Sequence, residues 1–163
     1  LGSLVGSDVP FFFSCGAALV SGRGEVVEGI ASREDFSLMV VFPGFGVGTA
    51  WAYSLLDARR ADDSLEPDPG KEALKVAYGG QARLWPFANS FEPFVGAVRP
   101  EIPAIKSRLL AEGAAFASMT GSGSCVFGIF DDPDRAEAAR RSFSSDGFRA
   151  FAAIPLARPP ALD

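Results

Sequence analysis

Two short apolar segments joined by a loop of small residues constrain the fold of this 163-residue chain most strongly. They read AFASM (115–119) and CVFGIF (125–130), with TGSGS between them, which is typical of two strands of a hairpin. The segment before them, 100–113, carries apolar residues at helical spacing. The segment after them opens with Asp132 and Pro133, which favour a helix start. Helices therefore flank a hairpin on both sides.

The other apolar segments extend this alternation of strands and helices. Residues 16–30 contain two apolar runs joined by SGRG and predict a second hairpin. Residues 36–43 predict a buried strand that Pro43 ends, and residues 149–156 predict the last strand. Strands and helices that alternate in this way predict an α+β sandwich with an antiparallel sheet.

Two further helices are predicted, besides a surface insertion. One begins near Thr49, which is available as its N-cap, and another covers 89–98. The helix opened by Asp132 carries a Glu137–Arg141 pair. The polar stretch from Asp57 to Lys71 predicts an insertion at the surface.

Composition excludes several classes of function. A formal net charge of −5 argues against nucleic acid as a partner. The longest apolar runs fall short of the roughly 20 residues that cross a bilayer, so no membrane association is expected. The chain has no histidine, which excludes imidazole bases within it. Cys15 and Cys125 are too few for a disulfide framework and predict no metal site, so a reducing, cytoplasmic compartment fits best.

Three stretches are candidates for chemistry, and each also has a purely structural interpretation. Asp8, in GSDVPFFF, is either a functional carboxylate or a turn residue. The TGSGS loop is either a flexible hairpin loop or a place where backbone N–H groups approach a phosphate, although it lacks the lysine of a P-loop. Trp51 and Tyr53 are either core residues or ligand contacts.

Five segments of the sequence, taken together and in order, resemble the carboxy-terminal part of the GHMP kinase superfamily. They are GSDVPFFF, GRGE, the PG followed by TAWAY, NSFEP and TGSGSCVF. The resemblance covers nearly all of the chain outside residues 57–88 and is strongest to the branch whose substrate carries a cytidine diphosphate group. It implies an ATP-dependent kinase that phosphorylates an alcohol. It also implies that residues 1–34 end the ATP-binding domain and that residues 35–163 form a ferredoxin-like, substrate-side domain.

The resemblance assigns roles to individual residues. Asp8 is expected to be the catalytic base. Pro10 is expected at the substrate side, where it turns the chain into a strand of phenylalanines that is buried behind Asp8. Tyr53 is expected to stack on cytosine, and Thr49 to line the same pocket. Residues Gly121, Ser122 and Gly123 are expected near the ATP phosphates, acting through backbone shape. No side-chain metal site is expected, and Mg²⁺ is expected on the phosphates of ATP.

Three parts of the family pattern are missing from this sequence. They are the ATP-binding loop, the lysine beside the catalytic aspartate and the second aromatic residue around cytosine. The chain is therefore expected to be inactive alone and to need the amino-terminal half of the same enzyme as its partner. Two alternatives stay open: another kinase of the superfamily, of the mevalonate-route or homoserine type, and a non-catalytic interaction module. A plastid stroma stays open beside a bacterial cytoplasm.

Overall fold

The computed structural model describes residue 6 and residues 9–13, 16–60 and 70–157. Asp8 lies outside the described residues, as do residues 61–69 of the predicted insertion. Within the described ranges, no helix is both long and apolar enough to cross a bilayer.

A four-stranded antiparallel sheet organises residues 37–153. Its strands are β3 (Ser37–Phe42), β4 (Phe116–Met119), β5 (Val126–Phe130) and β6 (Arg149–Ala153), in the spatial order β4-β5-β3-β6. Helices α1 (Thr49–Arg60), α2 (Lys71–Gly79), α3 (Glu92–Val98) and α4 (Glu101–Ala111) connect β3 to β4, and α5 (Pro133–Ser145) connects β5 to β6. This strand order, with helices in the connections between strands, confirms the expected α+β, ferredoxin-like fold.

One face of the sheet forms the main core with the helices. Met39 and Val41 of β3 are fully buried, and Val126 lies opposite Val41 in the ladder. The helices contribute buried apolar residues from α1, α3, α4 and α5, among them the predicted Ile102, Ile105 and Leu109. Alternate residues of a strand face opposite sides of the sheet. The apolar residues on the side that faces the helices therefore all pack into this core. The core therefore follows from the pattern of the sequence.

The predicted start of α5 is confirmed. Asp132 is the N-cap, and its carboxylate accepts a hydrogen bond of 2.9 Å from the backbone N–H of Asp134, with Pro133 at the first helical position. Glu137 pairs with Arg141 at 3.5 Å, as predicted, and also with Arg140 at 2.7 Å. Helix α2 was not predicted, because its sequence follows directly on the polar stretch.

The amino-terminal segment forms a separate hairpin. Strands β1 (Ala17–Ser21) and β2 (Val26–Ile30) pair antiparallel as predicted, in a two-stranded sheet of their own. Lys75 of α2 binds the Glu28 carboxylate of β2 at 2.5 Å. The backbone N–H of Gly16 donates to the carbonyl of Ala157 over 3.4 Å. These contacts join the hairpin to the rest of the described structure.

The predicted phenylalanine strand is wrong. Val9–Phe13 is a 3₁₀ helix, and the side chains of Phe12 and Phe13 are 70% and 81% exposed. Pro10 has no N–H to give to a strand ladder, and its fixed φ is compatible with a helical turn. The two phenylalanines are not a buried support within the described part of the chain.

Candidate functional site

The glycine-rich loop between β4 and β5 is a tight hairpin turn. The N–H of Thr120 donates to the carbonyl of Cys125 over 2.9 Å, and the N–H of Gly123 donates to the carbonyl of Thr120 over 3.0 Å. Gly123 has φ +98°, and a Cβ there would lie 2.8 Å from Sδ of buried Met119. A larger residue would be strained by the positive φ and would require Met119 to move, so glycine is favoured at this position.

The loop contacts the beginning of α1. The hydroxyl oxygens of Thr49 and Ser122 lie 3.2 Å apart, where either group can donate. Ser124 donates a hydrogen bond to the carbonyl of Phe45, in the segment before the helix. Two of the predicted site residues, Thr49 and Ser122, are therefore in direct contact although 73 positions separate them.

Thr49 is not the N-cap of α1, which corrects the prediction from sequence. The helix begins at Thr49 itself, and the N–H of Ala52 donates to the carbonyl of Gly48 over 3.0 Å. The Thr49 side chain is thus directed to Ser122 and not to a backbone N–H of its own first turn. Its hydroxyl joins the first turn of α1 to the glycine-rich loop instead of capping the helix.

Tyr53 lies one helical turn after Thr49, on the same face of α1. Its side chain is 51% exposed, and Trp51 is also exposed, so neither is a core residue among the described residues. The Tyr53 ring meets the ring of Phe91 edge to face, with centroids 4.9 Å apart. This contact fixes one side of the Tyr53 ring and leaves much of the ring available to a ligand.

Asn89 joins the glycine-rich loop to the start of α3. Its amide nitrogen donates to the carbonyls of Met119 and Gly121, each over 2.8 Å, and its Oδ1 accepts from the N–H of Phe91 over 2.9 Å. A flipped amide would place oxygen against two carbonyl oxygens, so this orientation is the one that satisfies every group. The sequence predicted a helix over 89–98 and used NSFEP as part of the resemblance, but α3 begins at Glu92 and the contacts of Asn89 with the loop were not predicted.

Glu92 holds the end of β4 beside the loop. Its Oε2 accepts from the hydroxyl of Ser118 over 2.9 Å and from the N–H of Met119 over 2.8 Å, while Lys106 donates to its Oε1. Burial opposes ionisation, but the hydrogen bonds from Lys106, Met119 and Ser118 outweigh it and lower the pKa of Glu92. The carboxylate is therefore a structural anion at neutral pH. The signal in the sequence was the spacing of Asn89 and Glu92 in NSFEP.

The remaining predicted residues are placed differently. Pro10 is half-buried in the 3₁₀ helix, and Asp8 lies outside the described residues, so its predicted role stays a prediction. Among the described side chains, no group of three or more His, Cys, Asp or Glu lies together as a metal site would require. Thr49, Tyr53 and the glycine-rich loop form one exposed cluster.

A surface cavity of about 440 Å³ lies elsewhere, between β2 and α2. Its charged groups already have partners. Arg33 pairs with Asp35 and donates to the carbonyls of Tyr78 and Gly80, and Lys75 binds two glutamates. These contacts are those of a structural junction, so we place the candidate site at the glycine-rich loop.

Comparison with known proteins finds one matching family and several similar kinases. Residues 74–149 match the family described as GHMP kinases C terminal. The 4-diphosphocytidyl-2-C-methyl-D-erythritol kinase of Solidesulfovibrio magneticus is 38% identical over 155 residues, which cover 91% of this chain and 51% of that protein. The chain thus spans about half the length of the curated relatives it matches.

Solved structures of two kinases also superpose on this chain. A crystal structure of 4-(cytidine 5'-diphospho)-2C-methyl-D-erythritol kinase superposes with a TM-score of 0.76 at 32% identity, covering 94% of this chain and 55% of that one. Homoserine kinase from Cytophaga hutchinsonii superposes with a TM-score of 0.58 at 17% identity, covering 88% of this chain and 50% of that one. At that identity the second likeness concerns the fold alone.

Proposed function

The chain contains a GHMP kinase carboxy-terminal domain, and we propose that it is the carboxy-terminal part of a 4-diphosphocytidyl-2-C-methyl-D-erythritol kinase. The reaction is ATP-dependent phosphorylation of the 2-hydroxyl of that alcohol, a step of non-mevalonate isoprenoid precursor synthesis. The setting we propose is the cytoplasm of a bacterium. The names of the relatives support the choice of substrate, and their identity to this chain supports the carry-over.

One observation carries the proposal: the contact between Thr49 and Ser122. It brings the glycine-rich loop, which we assign to the phosphate side, against the helix that presents Tyr53. A substrate with a nucleobase at one end and a reacting alcohol at the other needs both features within one site. The exposed ring of Tyr53 suits stacking on cytosine, because stacking requires a flat apolar face and no charge.

In the proposed mechanism, Asp8 accepts the proton of the substrate 2-hydroxyl. The oxygen then forms a bond to the γ-phosphorus of ATP, the bond from that phosphorus to the β,γ-bridging oxygen breaks, and ADP leaves. Mg²⁺ bound with ATP would neutralise charge on the phosphates. Gly121, Ser122 and Gly123 shape the backbone beside the phosphates, and Tyr53 and Thr49 orient the cytidine end.

We further propose that residues 1–34 belong to the ATP-binding domain and residues 35–163 to the substrate-side domain. The separate β1–β2 hairpin supports this boundary, since an isolated two-stranded sheet is marginal in water. The exposed Phe12 and Phe13 also support it, because large apolar side chains left in water favour cover by another part of a protein. The partner that we assign to them is the amino-terminal half that the curated relatives possess in addition.

Substitutions of Tyr53 in the full-length protein test the proposed function. Tyr53→Ala should weaken affinity for the cytidyl substrate about 5- to 150-fold, which corresponds to the roughly 1–3 kcal/mol of base stacking. Tyr53→Phe keeps the ring and should bind nearly as the parent does. Affinity for ATP should hardly change in either variant.

Substrate affinity and thermal unfolding are measured on the same variants. Equal substrate affinity in the parent and in Tyr53→Ala would contradict the stacking role. A parent protein that phosphorylates homoserine or mevalonate, and not the cytidyl alcohol, would favour another kinase of the superfamily. A parent without activity on all three alcohols would favour a non-catalytic module.

A further inference from the structure

We propose that the turn from Asn89 to Phe91, here called the Asn-Phe turn, is a positioning element that sets the glycine-rich loop and the Tyr53 ring relative to each other. The inference rests on the proposed function and adds two residues that act through others. Asn89 acts on the loop, and Phe91 acts on Tyr53.

Asn89 contacts the glycine-rich loop at two carbonyl groups on the β4 side of the turn. Its amide holds the carbonyl of Met119, the last residue of β4, and the carbonyl of Gly121, inside the loop. Gly121 and Gly123 both have positive φ, and because glycine also has many other conformations open to it, hydrogen bonds from outside the loop help to select this one. Asn89 supplies these hydrogen bonds from another element, 30 and 32 positions away.

The contact of Phe91 with Tyr53 lies at the other end of the same turn. The N–H of Phe91 donates to Oδ1 of Asn89, so the position of the Phe91 backbone depends on Asn89. The Phe91 ring then meets the Tyr53 ring at an interplanar angle of 85°. An edge-to-face contact restricts rotation of the half-exposed tyrosine while leaving a face for stacking.

The Asn-Phe turn therefore connects the phosphate side and the nucleobase side of the site through three hydrogen bonds and one ring contact. The Thr49–Ser122 contact is a second link between the same two sides of the site. A substrate that reaches from one side to the other gains from a fixed separation, because reacting groups must be held near their productive geometry.

The variants separate the two actions of the turn. Asn89→Asp keeps the oxygen that accepts from Phe91 but replaces the donor to Met119 and Gly121 with a second oxygen. Phe91→Leu keeps an apolar side chain and the backbone N–H but removes the ring that meets Tyr53. Ile105→Val, in the buried face of α4, is the control for a general loss of stability.

The first measurement is amide hydrogen exchange over residues 120–125 in the ligand-free, full-length protein. Asn89→Asp should accelerate exchange there about tenfold or more, because two hydrogen bonds of the loop are lost. Ile105→Val and Phe91→Leu should leave exchange in this loop near the parent rate. Unchanged exchange in Asn89→Asp would overturn the action on the loop, whether or not the protein is a kinase.

The second measurement is steady-state kinetics with ATP and the cytidyl substrate. Asn89→Asp should lower kcat and raise KM for ATP, whereas Phe91→Leu should raise KM for the cytidyl substrate about threefold to tenfold. In a Tyr53→Ala background, Phe91→Leu should have no further effect, since Phe91 acts through Tyr53. Additive effects of Tyr53→Ala and Phe91→Leu, or equal changes of both KM values in all variants, would overturn the proposal. Absence of any activity in the parent would instead contradict the proposed function, and the exchange result would still decide the action of Asn89.

Discussion

The four-stranded sheet and the amino-terminal segment use their phenylalanines in opposite ways. Phe130 of β5 and Phe143 of α5 are completely buried in the main core, whereas Phe12 and Phe13 of the 3₁₀ helix are largely exposed. Helices α1, α3, α4 and α5 cover one face of the four-stranded sheet, whereas among the described residues no helix buries Phe12 or Phe13. The comparison teaches that residues 37–153 bury their large apolar side chains among themselves, while the described part of the amino-terminal segment leaves Phe12 and Phe13 exposed.

If the amino-terminal segment contributes to catalysis more than to stability, Asp8→Asn should have the largest effect on activity of the substitutions considered. In the full-length protein we expect kcat to fall about 100- to 10,000-fold with KM values nearly unchanged, because the amide keeps the size of the side chain but cannot accept the proton. Asp132→Asn is the matched control, since asparagine caps a helix as well as aspartate. A kcat near that of the parent would remove Asp8 from the mechanism.

The contrast between buried and exposed phenylalanines predicts different effects on stability. Phe143→Ala should cost about 3–5 kcal/mol in this chain and in the full-length protein alike. Phe13→Ala should cost less than about 0.5 kcal/mol in this chain, but about 1–3 kcal/mol in the full-length protein if its amino-terminal half covers the ring. Denaturant unfolding of both variants in both contexts measures these losses. A negligible loss for Phe13→Ala in both contexts would contradict the cover.

Within residues 37–153, two glycines of one loop give a finer comparison. Gly121→Ala should cost about 1–2 kcal/mol through backbone conformation alone, because its φ is +55° and no atom lies within 4 Å of an added Cβ. Gly123→Ala should cost about 2–4 kcal/mol, because its Cβ also meets Sδ of Met119. Thermal unfolding of the pair separates the two causes, and equal losses would show that Met119 yields without cost.

The smallest expected effect concerns Glu92. Its folded-state pKa is below the ordinary value of 4.5, so ionisation stabilises the fold above that pH, and the stability is lost as pH falls through 4.5 and lower. Glu92→Gln should cost about 1–2 kcal/mol at pH 7 and progressively less below pH 4.5. Glu137→Gln, on the exposed face of α5, should show little of this dependence. Parallel pH profiles for the parent and Glu92→Gln would contradict the assignment.

Local patterns were enough to predict most of the fold. The strands around TGSGS, the α4 face with Ile102, Ile105 and Leu109, and the Asp132 cap all follow from spacing and residue type, and the structure confirms them. The exceptions include α2 and two 3₁₀ helices, Val9–Phe13 and Ala82–Leu84. A run of phenylalanines carries no period that separates a strand from a helical turn, so only its surroundings decide between them.

The candidate site divides in the same way. The sequence by itself determined the glycine-rich loop, the helix start at Thr49 and the aromatic residue one turn later, since each depends on neighbours in the chain. Only the tertiary structure decided that the Thr49 hydroxyl meets Ser122 instead of capping its helix, and that Asn89 and Glu92 hold the loop and the end of β4. Those contacts join residues 26 to 73 positions apart, and a side chain selects such partners only after the strands and helices have packed.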